Sequence, residues 1–282
     1  MAKRRRRVTE KLIKKWLKEG RGQGEGAQYK PWLTIQDVPS HGRCHRIRDL
    51  HNGRVHHFLS DLELHIYLTY VWSSPPIVDI MEQYPLLPLE ETVSIAKQLG
   101  IPHPKDPNTN HPIVITSDFL LKIKHNLHHE YCVRTAKLFS KLDDPRTKDK
   151  LNIERFFWEA RTKDWGITTE QKLCMPLVEN MKWTYPYYHA TSLYPLNQTK
   201  IKKVAAVLTM KILEIDAPLR WITTACDEEL NLNRGRSLAV VRHLIARRIW
   251  HVDMTERIHT GARLLLMSIP ERILDDRRRL AT

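Results

Sequence analysis

Two strand-like stretches decide the fold: IVITSDFLL at residues 113–121 and YCVRTAK at residues 131–137. Both are rich in β-branched and aromatic residues, and turn-forming residues separate them. Asp144 followed by Pro145 has the composition of a helix start, and the helical pattern continues to about Arg161. This order of elements predicts a domain whose core is built from both strands and helices.

Further elements precede these stretches. Residues Ser60 to Glu63 open a helix with a broad apolar face, because Ser is a favoured N-cap residue. The other predicted elements of this half are a basic amphipathic helix at 8–17, a strand at 77–84, a helix at 89–99 and a last strand at 166–169.

The second half of the chain has a helical pattern from about Thr199. We expect helices at 201–215, 219–230 and 237–248, with a turn at 231–235 between the last two. Residues 250–253 and 262–266 are then interpreted as a small paired wing, and this order is typical of a winged-helix domain. We therefore divide the chain into residues 1–170 and residues 171–282.

The charge balance indicates a polyanionic partner. Lys and Arg number 46 against 32 Asp and Glu, so the formal net charge is +14, which makes nucleic acid the first candidate ligand. No apolar run is long enough for a membrane span, and the four cysteines form no CxxC pair. We expect a cytoplasmic protein without a membrane anchor.

Basic residues near the N-terminus are the candidate DNA contacts. A block of five cations repels itself until it meets phosphate, and the next helix adds two more lysines. A Gly-rich loop follows at residues 20–26, but no Gly-Lys-Ser/Thr closes it, which excludes a P-loop. The candidate DNA-binding residues are Lys3, Arg4, Arg5, Arg6, Arg7, Lys14, Lys15 and Arg21.

A metal-dependent nuclease needs carboxylates for the cation and benefits from a lysine beside the phosphate. The chain offers Glu63 on a helix, Asp118 on a strand, and Thr135 and Lys137 on the next strand, where residues two apart share a face. Other interpretations stay open: Glu63 fits a capping box with Ser60, and Lys137 fits a solvated surface lysine. The pairs His56-His57 and His128-His129 are interpreted as surface histidines.

Several longer stretches resemble the TnsA endonuclease family. They cover residues 19–165 densely, and beyond these the resemblance is faint. The matching stretches are EGRGQG at 19–24, Tyr29, PWLT at 31–34, VPS at 38–40, HRI at 45–47, GRVHH at 53–57, LSDLEL at 59–64, VDI at 78–80 with EQ at 82–83, PLLP at 85–88, TSDFL at 116–120, and ER at 154–155 with Trp158.

This resemblance implies a restriction-endonuclease-like N-terminal domain, with a central mixed sheet flanked by helices, and a mainly α-helical winged-helix C-terminal domain. It implies that Glu63, Asp118 and Lys137 are catalytic, where Lys137 stands in the lysine position of a Gln-x-Lys pair. Thr135 occupies the Gln position, which departs from the family pattern. The implied metal ligands are Glu63, Asp118 and Thr135, and the implied cofactor is Mg²⁺, with Mn²⁺ as a substitute.

The resemblance also implies a bacterial, nucleoid-associated transposase subunit that cuts the 5′ (non-transferred) strand at transposon ends. Its implied partners are the double-stranded DNA of the transposon ends, a TnsB-like recombinase and a TnsC-like AAA+ ATPase. Arg242, Arg247 and Arg248, with the cluster at 277–279, then become candidate contacts for DNA or for a partner protein. Two alternatives stay open: a stand-alone restriction or repair nuclease, and a non-catalytic winged-helix DNA-binding regulator.

Overall fold

The computed structural model describes residues 7–38, 42–74, 77–125, 128–161 and 163–268. The chain divides into two compact units, Met1–Leu173 and Cys174–Thr282. None of the described helices is both long and apolar enough to cross a lipid bilayer.

The first unit alternates helices with strands. Its elements are α1 (Glu10–Lys18), β1 (His45–Arg48), β2 (Val55–Phe58), α2 (Asp61–Trp72), β3 (Ile77–Pro85), α3 (Leu89–Gln98), β4 (Thr116–His125), β5 (His128–Ala136), α4 (Pro145–Glu159) and β6 (Asp164–Thr168).

The main sheet of this unit is mixed, as the sequence resemblance implied. Its strand order is β3-β4-β5-β6, with antiparallel β3/β4 and β4/β5 pairs and a parallel β5/β6 pair. A parallel pair needs a long crossover, and α4 provides it. The register pairs Phe119 with Arg134, which brings the start of β4 beside the end of β5. A separate antiparallel hairpin, β1 with β2, was not predicted.

The helices of this unit begin where the sequence places capping residues. The Ser60 side chain accepts a hydrogen bond from the Glu63 amide at the start of α2. Asp144 caps α4 in the same way, and Pro145 occupies its first turn. These two predicted starts are therefore confirmed.

Apolar side chains of α4 hold that helix against the main sheet. Phe157 and Trp158 pack in one buried cluster with Met81, Leu120 and Val133 from three neighbouring strands. Burying a side chain of this size stabilises the fold by roughly 1.5–3 kcal/mol. The contact fixes α4 relative to β4 and β5, which carry the predicted site residues.

The second unit is helical, with α5 (Met175–Thr184), α6 (Gln198–Glu214), α7 (Leu219–Glu229) and α8 (Arg236–Ala246). The helices predicted at 201–215, 219–230 and 237–248 correspond to α6, α7 and α8. No helix was predicted at α5.

The predicted pairing of residues 250–253 with 262–266 is wrong. Within residues 250–268, all of which the structure describes, β-pairing is limited to one isolated antiparallel bridge, between His251 and Ser268. Other partners hold this part of the chain: the Ala262 carbonyl accepts from the backbone amide of Leu219 (2.9 Å), and the loop between the two predicted segments is held by the Asn180 side chain on α5. This side chain donates to the carbonyls of Met254 (3.1 Å) and Glu256 (2.7 Å) and accepts from the amide of Ile258 (2.9 Å). A loop whose backbone groups bond to a side chain has fewer groups left for a strand ladder.

Candidate active site

Glu63 lies in the first turn of α2, where its backbone amide donates to the Ser60 hydroxyl and its carboxyl group accepts two further hydrogen bonds. Its Oε1 accepts from the Ser60 hydroxyl (2.8 Å), and its Oε2 accepts from the backbone amide of Leu59 (3.0 Å). The capping box of the sequence interpretation used the Ser60 amide instead. The carboxyl group is buried, with 6% of the residue exposed. These bonds fix its orientation and leave it directed at the end of the main sheet.

Asp118 lies near the start of β4 and contacts the end of β5. Its Oδ2 accepts from the backbone amide of Ala136 (2.7 Å) and from the Lys137 Nζ (3.2 Å). The same Nζ donates to the Ala136 carbonyl (2.8 Å). Lys137 is therefore not a freely solvated lysine, because an aspartate and a backbone carbonyl hold its ammonium group.

Gln83, on β3, joins the two carboxyl groups. Its Nε2 lies 3.3 Å from Glu63 Oε2 and 3.3 Å from Asp118 Oδ1. Its Oε1 accepts from the Thr116 hydroxyl (3.0 Å). The sequence interpretation missed Gln83 as a site residue, although two adjacent polar residues, Glu82 and Gln83, in a largely apolar strand were a signal that could have found it.

Thr135 has a different partner. Its hydroxyl donates to Glu154 of α4, which also accepts from the Ser117 hydroxyl (2.6 Å). The indole nitrogen of Trp158 in turn donates to Ser117 (2.8 Å). Glu63, Asp118 and Lys137 therefore converge, while the Thr135 hydroxyl is committed to the buried carboxyl group of Glu154.

Burial and charge set the protonation of this cluster. Burial, together with the neighbouring charge of Asp118, raises the pKa of Glu63 from 4.5 to about 7. Burial also raises the pKa of Glu154. For Lys137, burial alone would lower the pKa, but Asp118, Glu154 and Glu63 outweigh it and raise the pKa. The lysine therefore stays cationic, and Glu63 titrates near neutral pH.

The donor set fits a cation that keeps part of its water shell. Among the described residues, no three His, Cys, Asp or Glu side chains are grouped so as to hold a metal ion. Mg²⁺ does not need such a cage, since it usually binds through one or two carboxylates and completes its shell with water and substrate phosphates. Glu63 and Asp118, joined by one amide, match that requirement.

The prediction that His56 lies at the surface is wrong. His56 is fully buried, and its ring bonds Glu82 Oε2 (2.8 Å) and Asp49 Oδ2 (3.2 Å). Arg54 donates to both oxygens of Glu82 (2.9 and 2.8 Å). Buried charges need such partners, which the sequence does not reveal. Asp49, Arg54, His56 and Glu82 form an ionic network, which fixes Glu82, the residue that precedes Gln83 in β3. His128 and His129 are exposed, as predicted.

The candidate DNA contacts differ in their availability. Lys3, Arg4, Arg5 and Arg6 lie outside the described residues. Arg7 is exposed, Lys14 pairs with Glu10 (2.6 Å), and Lys15 lies 3.8 Å from Glu19.

Arg21 is used locally. It donates to Asp37 (2.7 Å) and to the Trp32 carbonyl (2.9 Å), and its guanidinium lies 4.3 Å from the centre of the Trp16 ring. These contacts join the Gly-rich loop to α1, so the side chain has a structural function.

The three candidate arginines in and just after α8 also differ in their availability, and Arg248 is exposed. Arg242 is stacked between Trp183 (4.6 Å) and Tyr187 (5.0 Å) and donates to the Tyr187 hydroxyl. Arg247 is exposed and lies over the ring of Tyr188 (4.7 Å). Arg242 therefore packs within the second unit. The cluster at 277–279 lies outside the described residues.

A mixed sheet flanked by helices, with two carboxylates and a lysine brought together at the ends of its strands, is typical of a nuclease-like domain. The comparisons with known proteins agree with that class. Residues 74–170 match the family described as "TnsA-like endonuclease N terminal", and residues 174–254 match "TnsA endonuclease C terminal". Asp118 and Lys137 lie inside the first match, and Glu63 precedes it.

A relative from Escherichia coli, "Transposon Tn7 transposition protein TnsA", is 35% identical over 254 residues, which is 87% of each chain. The chain belongs to the TnsA family of transposon endonucleases. It is a DNA endonuclease subunit of a transposase.

Proposed function

We propose that this chain is a Mg²⁺-dependent endonuclease that cleaves the 5′ (non-transferred) strand at transposon ends. The observation that supports it is the convergence of Glu63, Asp118 and Lys137 from one helix and two strands, with Gln83 between the carboxyl groups. Mn²⁺ would replace Mg²⁺, because both prefer oxygen ligands.

Each side chain of this cluster has a proposed role. Glu63 and Asp118 would hold the cation, which when bound activates a water molecule and neutralises charge on the phosphate. Lys137 attracts the scissile phosphate with an ammonium group that Asp118 and the Ala136 carbonyl orient. Glu63 releases its proton when the site takes up a cation, since its pKa of about 7 favours the protonated form below neutral pH. Thr135 is left out of the ligand set, because its hydroxyl donates to Glu154.

DNA would approach through phosphate contacts. The net charge of +14 supplies the long-range attraction, and Arg7, Lys14 and Lys15 are exposed. Water screens exposed ion pairs such as Lys14-Glu10, so phosphate can displace the glutamate. Arg21 is left out of this set, because Asp37 and Trp32 hold its guanidinium.

The two parts of the chain have different proposed functions. We propose that residues 1–170 cut DNA and that residues 171–282 form a winged-helix domain that contacts a partner protein. Helix α7, the turn at 231–235 and α8 support the helix-turn-helix part, and the His251-Ser268 bridge supports a reduced wing. The stacked Arg242 favours protein over DNA as the ligand of this unit. The proposed partners are a TnsB-like recombinase and a TnsC-like ATPase.

A strand-specific cleavage assay tests this function. Transposon ends labelled on each strand are incubated with this protein, with the recombinase, or with both, in Mg²⁺ or EDTA. We expect 5′-strand cuts only with both proteins and Mg²⁺. Asp118→Asn should lower them at least about 100-fold, as loss of a metal-centre residue does.

Asp143→Asn is the matched control for this assay. It removes one carboxylate whose side chain is 97% exposed and is expected to cut like the wild type. Full 5′ cutting by Asp118→Asn, or equal cutting in EDTA, would disprove the proposed function. Cutting by the isolated chain would favour a stand-alone nuclease.

A further inference from the structure

The carboxamide of Gln83 occupies the gap that a cation between Glu63 and Asp118 would need. Its nitrogen lies 3.3 Å from one oxygen of each carboxyl group. An ionised carboxylate only accepts hydrogen bonds, so when both carboxyl groups are ionised and no cation is present the nitrogen end of the amide must face them. The residue is 2% exposed, and water therefore competes little for these contacts.

The other end of the amide has an adaptable partner. Gln83 Oε1 accepts from the Thr116 hydroxyl at 3.0 Å. A hydroxyl can donate or accept, so Thr116 can satisfy either end of the amide. A half-turn of the carboxamide plane would direct Oε1 at the gap and Nε2 at Thr116, whose hydroxyl can accept from one of the two N–H groups.

The backbone holds Gln83 in place for this task. Its φ is +50°, in the left-handed region that costs a non-glycine residue of order 1–3 kcal/mol. The Gln83 carbonyl accepts from the amide of Trp32 (3.2 Å), and the neighbouring Glu82 is fixed by Arg54 and His56. These contacts keep the kinked backbone in one conformation and aim the side chain at the carboxyl pair.

We infer that Gln83 is the third protein ligand of the divalent cation and binds it through its amide oxygen after that half-turn. The inference rests on the proposed function and extends it. It assigns to a residue of β3 the amide ligand that Thr135, bonded to Glu154, does not provide. Amide oxygens are suitable ligands for hard divalent cations.

Mn²⁺ binding to the full chain, measured by calorimetry and by the electron paramagnetic resonance of free Mn²⁺, tests the inference without any cleavage. Gln83→Leu keeps the size of the side chain but removes both amide atoms, and we expect at least about tenfold weaker binding. Gln83→Glu restores an oxygen ligand and should bind within about threefold of the wild type or more tightly. Gln98→Leu, at the exposed end of α3, is the control and should bind like the wild type.

A measurement on the unchanged protein makes the test independent of variant folding. With glutamine labelled by ¹⁵N, the side-chain amide signal of Gln83 should shift on addition of Mg²⁺, because its oxygen changes partner. Signals from glutamines outside the site, such as Gln98, should stay in place.

The inference is overturned if folded Gln83→Leu binds Mn²⁺ like the wild type, or if the Gln83 amide signal does not respond to Mg²⁺. Failure of the proposed function looks different. In that case the wild type does not bind Mn²⁺, or Asp118→Asn binds it equally well. Binding that needs Asp118 but not Gln83 overturns only the present inference.

Discussion

Removing the charge of Glu63 should stabilise the metal-free protein. A carboxyl group whose pKa rises from 4.5 to about 7 on folding opposes folding wherever it is ionised. At about 1.4 kcal/mol for each tenfold change in proton affinity, the full penalty is about 3 kcal/mol above pH 7. Glu63→Gln removes this penalty but weakens the charge-assisted bonds from Leu59 and Ser60, by about 1 kcal/mol in total.

The net expectation is a gain of about 2 kcal/mol in the free energy of unfolding at pH 8. The sign depends on pH in a defined way. The folded-state pKa of Glu63 is raised, so the penalty is absent below pH 4.5, grows between pH 4.5 and about 7, and is constant above. The difference between Glu63→Gln and the wild type should follow the same curve.

Urea unfolding in EDTA, followed by tryptophan fluorescence at several pH values, measures this difference. Glu90→Gln is the control, because it removes an exposed carboxylate from α3 and should change stability by no more than a few tenths of a kcal/mol. Saturating Mg²⁺ should then stabilise the wild type more than Glu63→Gln, since only the wild type keeps both carboxylate ligands. A Glu63→Gln protein that is less stable than the wild type in EDTA at pH 8 would refute the reasoning.

Three further outcomes are expected. Asn180→Ala should lower the free energy of unfolding by about 2–3 kcal/mol and expose the loop at 254–258 to proteolysis, because three backbone groups lose their partner. An undigested loop would contradict this. Burial alone would lower the pKa of His56, but Glu82 and Asp49 outweigh it and raise the pKa. The protonated His56 ring therefore stabilises the fold fully below pH 6.5, and this stabilisation is lost as the pH rises through the folded-state pKa. The stability difference between the wild type and His56→Gln should therefore be larger at pH 6 than at pH 9 in urea titrations, and the opposite trend would contradict the assignment. Lys15→Gln should reduce the salt dependence of DNA binding by about one phosphate contact without changing the fold. Fluorescence anisotropy at several salt concentrations measures the slope of the logarithm of the binding constant against the logarithm of the salt concentration. An unchanged slope would remove Lys15 from the interface.

Local signals explain which parts of the fold the sequence predicted. Ser60 and Asp144 cap their helices through side chains that contact residues three positions away, so a short stretch of sequence contains the whole interaction. The same holds for β4, whose composition favours a strand. The predicted wing was wrong because distant residues hold this part of the chain: Leu219 bonds the Ala262 carbonyl, and Asn180, more than 70 residues away along the chain, bonds the loop at 254–258. Helix α5 was missed for a related reason, since it buries that polar residue.

The candidate site shows the same limit. Glu63, Asp118 and Lys137 were named from a resemblance, and the structure brings them together. Gln83 joins them only because β3 pairs with β4 and because its backbone has a positive φ, neither of which the sequence indicates. Strand alternation placed Thr135 on the same face as Lys137. The hydroxyl of Thr135 nevertheless bonds Glu154, because α4 brings that carboxyl group to it.

Strand β3 separates the ionic network from the candidate active site, because Glu82 and Gln83 are neighbours in it. Successive residues of a strand point to opposite sides, and Glu82 and Gln83 do lead to different partners. Glu82 is held by Arg54 and His56, whereas Gln83 contacts the carboxyl groups of Glu63 and Asp118. A buried ionic network is rigid, because breaking one contact leaves an uncompensated buried charge at a cost of about 3–5 kcal/mol. The network therefore restrains the backbone on one side of β3, and the half-turn inferred on the other side changes only the carboxamide of Gln83. An apolar residue at position 82 would fill the same space, but it would leave the strained conformation of Gln83 without the contacts that hold it.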